Sequence, residues 1–575
     1  MENKEIARIL WETADLMEIA GEDGFRIRSY RNGATAIEGY PERVADIMRD
    51  PERKVTEIPG IGKGLAAVLS EILERQSCER RDALLQQFPA ACLEFLKIQG
   101  LGPKSIALIF QHYRIETIDQ LEQLCKEQKL RVLPRMGAKL EEKVLRSIAQ
   151  YRQRSGRYLL PQAENVAAEL IEHLRQVPGV EAITPAGSLR RGRETVGDLD
   201  LLVTGPAAGE VLERFLAYPR VQEVLARGEN KASARVGLEG LQVDVRALPR
   251  ESFGSAMQYF TGSKDHNVAI RLRAVKMGLK LSEYGLFRVE DDARVAGETE
   301  ASVYEALGLP WIPPELRENT GEIEAAEEGR LPELVELGQI RGDLHMHTTE
   351  TDGRASLEEM AEAARALGYE YIAITDHSKA LAMSNGLDEG RAVAHAGRVR
   401  KIGDSLGIRI FSGIECDILR DGAMDLADDA LAELDLVIGS VHSHMNLEAV
   451  EMTDRLLRAL ENPHIRILGH PTGRLLLQRE GYPFDFDRVA AEAARRGVWL
   501  EINASGERLD LHGPLIRTAK AKGARFVVNT DAHHPKHLAG MRYGVITARR
   551  GWLGPRDILN TLPAAKFAAA LKKRP

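Results

Sequence analysis

The 575-residue sequence predicts a multidomain α+β protein: a helical N-terminal region, a central region built on a sheet, and a C-terminal α/β barrel. Three observations carry that prediction. Apolar residues recur at helical spacing up to about residue 90, around a short Gly-x-Gly turn whose pattern returns further along. Two runs that alternate apolar and acidic residues, Asp198-Leu-Asp-Leu-Leu-Val203 and Leu241-Gln-Val-Asp-Val-Arg246, read as neighbouring strands. After residue 340, hydrophobic runs ending in His, Asp or Glu alternate with helical patterns, and twelve of the fifteen histidines lie there. A chain this long exceeds one core, so three to five domains are expected.

Composition narrows the function classes. With 44% hydrophobic and 29% charged residues the chain reads as globular, and no apolar run approaches the roughly 20 residues that span a bilayer. The start, Met1-Glu-Asn-Lys-Glu-Ile, lacks a signal-peptide stretch. The four cysteines form no CxxC pair, so neither a zinc ribbon nor a disulfide framework is indicated and a reduced, cytoplasmic, membrane-free protein is expected. The net charge of −8 hides an uneven distribution. Between Lys97 and Arg157 thirteen basic residues face six acidic ones, a patch suited to phosphate. From Arg317 to Ile340 the balance reverses, with seven acids against two arginines.

Taking the chain in order, Ile58-Pro-Gly-Ile-Gly-Lys-Gly-Leu65 joins two helical patterns by a hairpin whose exposed N–H groups can hold a phosphate. Ile98-Gln-Gly-Leu-Gly-Pro-Lys104 repeats it, and Leu133-Pro-Arg-Met-Gly-Ala-Lys139 is a degenerate third copy. These stretches resemble helix-hairpin-helix motifs, which grip the DNA backbone without reading sequence. The resemblance implies DNA contacts at Gly60, Gly62, Lys63, Gly100, Gly102 and Lys104.

The central motif is Ala186-Gly-Ser-Leu-Arg-Arg-Gly192, followed by Gly197-Asp-Leu-Asp200. Asp198 and Asp200 share one strand face, where two carboxylates repel unless a cation lies between them, and Asp244 offers a third acid from the neighbouring strand. Gly187 and Ser188 supply a turn with N–H and hydroxyl groups, and Arg190 and Arg191 supply guanidinium forks for phosphate. This set suits metal-assisted phosphoryl or nucleotidyl transfer. It resembles the nucleotidyltransferase palm of family X DNA polymerases, the group that includes DNA polymerase beta. The resemblance implies catalytic and metal-binding roles for Asp198, Asp200 and Asp244, with Mg²⁺ or Mn²⁺, and nucleotide contacts from Gly187, Ser188, Arg191 and Gly197.

Ser255 to Arg271 resembles the Tyr-Phe-x-Gly-Ser motif at the base of that family's thumb. By position Tyr259, Phe260 and Gly262 flank the nucleotide sugar, Asn267 reaches the base, and Arg271 lies near the template. Lys264, His266 and Gln242 depart from several relatives. In the N-terminal domain Tyr30-Arg31 fits the family pattern for binding a gap's 5′-phosphate, but Val68 stands where a lyase lysine is expected, and lyase activity is discounted there.

Beyond an expected exposed acidic linker, Arg341-Gly-Asp-Leu-His-Met-His347 opens the barrel. Its strand-end residues resemble those of the polymerase and histidinol phosphatase (PHP) domain, a distorted seven-stranded barrel with a tri-metal phosphoesterase site. The resemblance implies a ligand set of His345, His347, Asp352, His377, Glu415, His442, His470, Asp531 and His533, with Glu415 as bridge. Such a mixed N/O set suits up to three Mn²⁺ or Zn²⁺ ions.

The order of these parts resembles that of the bacterial PolX family. Expected boundaries are residues 1–90 for the first helical domain, 91–157 for fingers, 158–250 for palm, 251–316 for thumb, 317–340 for linker and 341–575 for the barrel. The implied activity is gap filling in base excision repair from dNTPs on gapped or primer-template DNA. A metal-dependent 3′-5′ exonuclease or phosphoesterase accompanies it, extending to 3′-phosphatase or abasic-site cleavage, in a monomeric protein associated with the nucleoid during repair. Two alternatives stay open: an end-processing nuclease with weak polymerase activity, or a DNA-binding scaffold with a small-molecule phosphatase barrel.

Overall fold

Helices built on the apolar spacing make up the first unit of the chain, residues 1–155, which is separate from a second unit over residues 156–575. The computed structural model describes residues 1–572 apart from 2, 41, 51, 52, 135, 155, 238 and 239. In the first unit Asn3–Ile19 packs against Gly24–Glu38, whose N-terminus is capped by Asp23 accepting from the Phe25 and Arg26 amides at 3.1 Å each. Ile6, Leu10, Leu16, Met17, Leu69, Phe95 and Leu121 belong to one continuous core.

The three hairpin copies share one backbone pattern. Ile58, Ile98 and Leu133 each accept an amide three residues on, from Ile61, Leu101 and Met136, at 3.0–3.2 Å. Each also donates to a carbonyl three residues back. Ile61, Leu101 and Met136 are buried, so the apolar residue of each turn anchors it to the core. Gly60 and Gly100 adopt φ of +91° and +102°, which favours glycine. The corresponding Arg135 of the third copy lies outside the described residues.

In the second unit Tyr158–Leu159 (β1) and Thr195–Val196 (β3) pair beside a five-stranded sheet. That sheet comprises Ala182–Pro185 (β2), Asp198–Thr204 (β4), Val221–Arg227 (β5), Lys231–Val236 (β6) and Leu241–Leu248 (β7), in the order β2-β4-β7-β6-β5. β4 and β7 run parallel with Asp200 opposite Asp244, and the other pairs are antiparallel. Leu199, Leu201 and Val203 of β4 and Val243 and Val245 of β7 enter a core shared with Leu160–Arg175 and Ala208–Leu216. The following helices, Phe253–Thr261 and Lys264–Lys276, precede an antiparallel sheet of Leu279–Ser282 (β8), Gly285–Arg288 (β9) and Arg294–Ala296 (β10).

The acidic stretch expected as an exposed linker is packed in its first part. Glu322 is fully buried, accepts the Asn319 and Thr320 amides at 2.8 and 2.7 Å, and lies 2.6 Å from His266 Nδ1. Arg317 is also fully buried, donating to the Ile312 carbonyl at 2.8 Å and to Glu300 at 2.6 Å. The charge run misleads because Glu318, Glu322 and Glu327 pair with Arg191, His266 and Arg273 elsewhere in the fold.

The barrel strands are Gly342–Asp343 (β11), Tyr371–Ile374 (β12), Arg409–Asp417 (β13), Leu436–Ser440 (β14), Ile465–Leu468 (β15), Trp499–Asn503 (β16) and Phe526–Asn529 (β17). They run parallel in sequential order. Just past the strand ends Met346 bridges Ala532, and the His347 amide donates to the Ala532 carbonyl at 2.8 Å, which brings the first and last strands together. Leu357–Ala366 exemplifies the intervening helices, with Ser356 and Glu359 forming a capping box. Barrel and central sheet also pack directly: Leu509 and Tyr543 sit in the core of the sheet, and Glu164 accepts from Arg542 at 2.7 Å and from the Tyr543 hydroxyl at 2.6 Å.

Candidate active sites

The first site grows from β4 and β7. Alternation along β4 buries Leu199 and Leu201 while Asp198 and Asp200 face away from that core. The Ala186 amide donates to the Asp200 carbonyl at 2.8 Å, holding the Gly-Ser turn against the strand. A Cβ on Gly187 would lie 2.9 Å from Asp200 Oδ2, so only glycine lets the turn cross the carboxylate this closely. Gly187, Ser188, Arg191, Gly197, Asp198, Asp200, Tyr259, Phe260, Gly262, Asn267 and Arg271 line one cleft of about 710 Å³. Arg157, Arg193, Lys264 and Glu318 line it too.

Asp244 is 7% exposed. Lys231 lies 2.6 Å from its carboxylate, Arg246 3.4 Å, and Gln242 donates to it at 3.3 Å. Arg246 also reaches within 4.0 Å of Asp200 and stacks over the Phe260 ring at 4.3 Å. Burial and then the neighbouring Asp198 push the Asp200 carboxyl up to about 6, only partly offset by Arg246. Burial also pushes Asp244 up, but hydrogen bonds from Lys231 and Ser233 outweigh it and lower it. An acid pushed up by burial and by a like charge beside it fits a place where a divalent cation relieves repulsion. Sequence reasoning missed Lys231 and Arg246, although Arg246 follows the third acid by two residues on β7.

Arg190 and Arg191 divide their work. Arg190 donates to both Glu300 oxygens at 2.8 and 2.6 Å and to Thr261 Oγ1 at 2.7 Å, tying the Gly-Ser turn to the region after β10. Arg191 faces the cleft, with Nε 3.2 Å from Glu318 and Nη1 donating to the Thr261 carbonyl. Asn267 accepts from Gln258 at 2.8 Å and donates to the Tyr259 carbonyl at 2.6 Å, and Arg271 donates to the Asn267 carbonyl at 3.3 Å.

The second site lies at the C-terminal ends of the barrel strands, and it gathers all nine expected ligand positions. Three groups have ligand atoms within 4.8 Å of one another: His347, Asp352, His377 and His533; His345, His347 and Asp531; and His377, Glu415 and His442. His470 joins through Nε2, 2.9 Å from Glu415 Oε1. Glu415 is central, lying also 2.9 Å from His377, 3.4 Å from His345 and 3.4 Å from His442. The shared residues His347 and His377 link the groups, and the mixed nitrogen and oxygen donors fit divalent transition metals. Buried His345 Nε2 and His377 Nδ1 converge on Glu415 Oε2 at 3.4 and 2.9 Å without a well-aligned hydrogen bond, as donors that share a cation do.

Outer partners fix the rings. Glu501 accepts from His345 Nδ1 at 2.7 Å, Asp417 lies 3.2 Å from His442 Nδ1, and the Asp531 carbonyl accepts from His533 Nδ1 at 2.9 Å. Each leaves Nε2 to face the cluster. Burial and then the Asp352 and Glu415 pairings act oppositely on His377, and the acids win, raising it to about 10. Burial with His533 and His377 nearby drives His347 down to about 4. Neither Glu501 nor β16 figured in the sequence reading. Their signal was a charged residue inside the apolar run Trp499-Leu-Glu-Ile-Asn503.

Within the first unit, Lys63 and Lys104 are exposed at the hairpin helices' first turns, beside Gly62 and Gly102. Arg31 is held by Asp15 at 2.9 Å and Glu18 at 2.5 Å, and Val68 packs against the core.

Family models match four stretches: a helix-hairpin-helix domain at residues 1–78, a SAM-like helix-hairpin-helix tandem at 93–150, the DNA polymerase beta thumb at 256–318 and the PHP domain at 343–505. DNA polymerase lambda of Arabidopsis thaliana is 24% identical over 352 residues, 55% of this chain and 62% of that protein. A probable phosphatase of Caldanaerobacter subterraneus is 33% identical over 204 residues, 33% of this chain and 75% of that protein. The DNA polymerase/3′-5′ exonuclease PolX of Bacillus subtilis is 38% identical over 575 residues, the full length of both. The chain belongs to the PolX family.

Proposed function

We propose that this protein is a DNA-directed DNA polymerase that fills short gaps in base excision repair and also carries a 3′-5′ exonuclease and phosphoesterase in its barrel. The observation that supports it most is one chain holding both an open cleft with aligned acids and a nine-residue His/Asp/Glu cluster, buried except toward Asp352 and His533. The full-length likeness to a DNA polymerase/3′-5′ exonuclease points the same way.

In this reading Asp198, Asp200 and Asp244 hold Mg²⁺ or Mn²⁺, and the nine barrel residues hold up to three Mn²⁺ or Zn²⁺ ions. When bound, these cations supply charge for the developing transition state and ease deprotonation of the attacking group. Ser188 and Arg191 bind the triphosphate of the incoming dNTP, with Gly187 and Gly197 letting its oxygens approach backbone. Tyr259, Phe260 and Gly262 flank the sugar, Asn267 meets the base and Arg271 the template strand. Glu415 spaces the barrel ligands, and Glu501 aims His345. The hairpin residues Gly60, Gly62, Lys63, Gly100, Gly102 and Lys104 grip phosphates of gapped or primer-template DNA. Residues 1–90 and 91–157 thus serve as DNA-holding and fingers domains, 158–250 as palm, 251–316 as thumb and 341–575 as the PHP domain, in a bacterial protein acting as a monomer.

The test uses a labelled primer on a one-nucleotide gap with Mn²⁺. Asp198→Ala/Asp200→Ala loses extension by at least about 10³-fold and keeps primer shortening, and His345→Ala/His347→Ala does the reverse. Extension surviving the first change, or shortening surviving the second, rejects that site. The probable-phosphatase relatives of the barrel favour a second substrate, a terminal phosphate, which a 3′-phosphorylated primer and a small phosphate ester compared at equal concentration would separate.

A further inference from the structure

The turn that lines the nucleotide cleft is backed by the barrel. The turn carrying Ser188 and Arg191 runs along the barrel helix Met541–Arg550, and a Cβ on Gly192 would fall 2.0 Å from Ile546 Cγ2. At the end of that helix Arg550 is 7% exposed. Its Nη1 donates to the Arg191 carbonyl at 2.9 Å and to Glu318 Oε1 at 3.1 Å. The same Glu318 oxygen accepts from Arg191 Nε at 3.2 Å, with Arg193 at 3.7 Å. Arg550 therefore fixes Arg191 twice, at its main chain directly and at its guanidinium through a carboxylate.

The preceding residue extends the arrangement. Arg549 donates to Glu315 at 2.6 Å and to the Val335 carbonyl at 3.1 Å, so the segment carrying Glu318 is anchored to the same helix end. A bare carboxylate in a triphosphate cleft would repel its ligand. Here Glu318 is ringed by Arg191, Arg193 and Arg550, so the cluster stays net positive and the acid serves to aim a fork. Burial pushes the Glu318 carboxyl up, but Arg191 and Arg550 outweigh it, and the group stays anionic. A pre-aimed guanidinium spends less binding energy on ordering itself than a free one.

We propose that Arg550, acting through Glu318, is a positioning residue for Arg191 in the nucleotide site, which makes the C-terminal barrel a structural part of the polymerase site as well as a phosphoesterase. This rests on the polymerase reading above. The test takes full-length Arg550→Ala, Arg550→Lys and Glu318→Gln through steady-state dNTP addition on one-nucleotide-gapped DNA. Primer shortening without nucleotides and the melting temperature serve as controls.

Arg550→Ala is expected to raise KM for dNTP about tenfold with kcat within about threefold, while shortening and melting temperature hold. Arg550→Lys, which keeps a donor, is expected to recover most of the loss. Glu318→Gln removes charge without volume, so it reads the relay even if Arg550→Ala loosens packing, and it is expected to raise KM at least about threefold. The proposal is overturned if the wild type extends the primer and Glu318→Gln and Arg550→Lys both leave KM within about twofold while Arg550→Ala either does the same or lowers kcat, shortening and melting temperature together. A wild type that does not extend at all overturns the polymerase reading itself.

Discussion

His345 illustrates how one side chain is committed to one job. Its ring is fully buried, and Nδ1 is taken by Glu501, which also accepts the His470 amide at 2.7 Å and the Asn529 amide group at 2.9 Å. Only Nε2 remains for the cluster, 3.4 Å from Glu415 and 3.6 Å from Asp531. Glu501→Gln keeps the shape but can no longer demand a proton at Nδ1, so the tautomer and ring angle loosen. Mn²⁺ affinity of the barrel, followed by titration calorimetry on the full chain, is expected to fall about 10- to 100-fold while dNTP addition stays unchanged. Unaltered affinity would reduce Glu501 to a packing residue. Most of the candidate ligands stood out in the sequence as His and acids at the ends of apolar runs, and the resemblance to the PHP domain completed the set of nine with Asp352. Glu501 did not, because one acid within five strand residues resembles any polar interruption until the barrel turns it inward.

Among elements, the segment after β10 differs most from its sequence reading. Charge spacing and Pro313-Pro314 read as a solvated linker, and only tertiary pairing makes it a strap. Glu300 is its anchor, accepting from Arg190 at 2.8 and 2.6 Å, from buried Arg317 at 2.6 Å and from Trp311 Nε1 at 3.2 Å. Burial alone would raise its carboxyl, but hydrogen bonding from Arg190 and the charge of Arg317 hold it at about 2. A depressed carboxyl stabilises the fold fully above its unfolded value and loses that contribution as pH falls through the folded one. Glu300→Gln is therefore expected to cost on the order of 3 kcal/mol in urea unfolding at neutral pH, because it strands two guanidinium groups. The gap from wild type should narrow steadily as pH drops below about 4.5, and a gap independent of pH would exclude the charge as its source. The hairpins, by contrast, were legible as elements. Gly60 and Gly100 need a left-handed backbone, and their repeated spacing is a local signal that requires no tertiary context.

At the scale of the molecule, the sequence divides palm from barrel while the packing joins them. Leu509, from the loop after β16, is fully buried in the core built by β4 and β7, with Tyr543 beside it. Gly506 lies so close to Pro161 that a Cβ would come within 2.4 Å. Two cores that interpenetrate in this way cannot lose one without exposing the other, so residues 156–575 are expected to unfold as one cooperative block, distinct from residues 1–155. Differential scanning calorimetry of the full chain should then give at most two transitions. Leu509→Ala empties a site in the palm core yet alters a barrel residue, and it is expected to destabilise the larger transition by about 2–5 kcal/mol. The decisive feature is which signals move: shortening activity and dNTP addition should be lost at the same temperature in both proteins. Loss of one activity well before the other would mean that palm and barrel melt separately, and that the shared core is a contact between two independent domains.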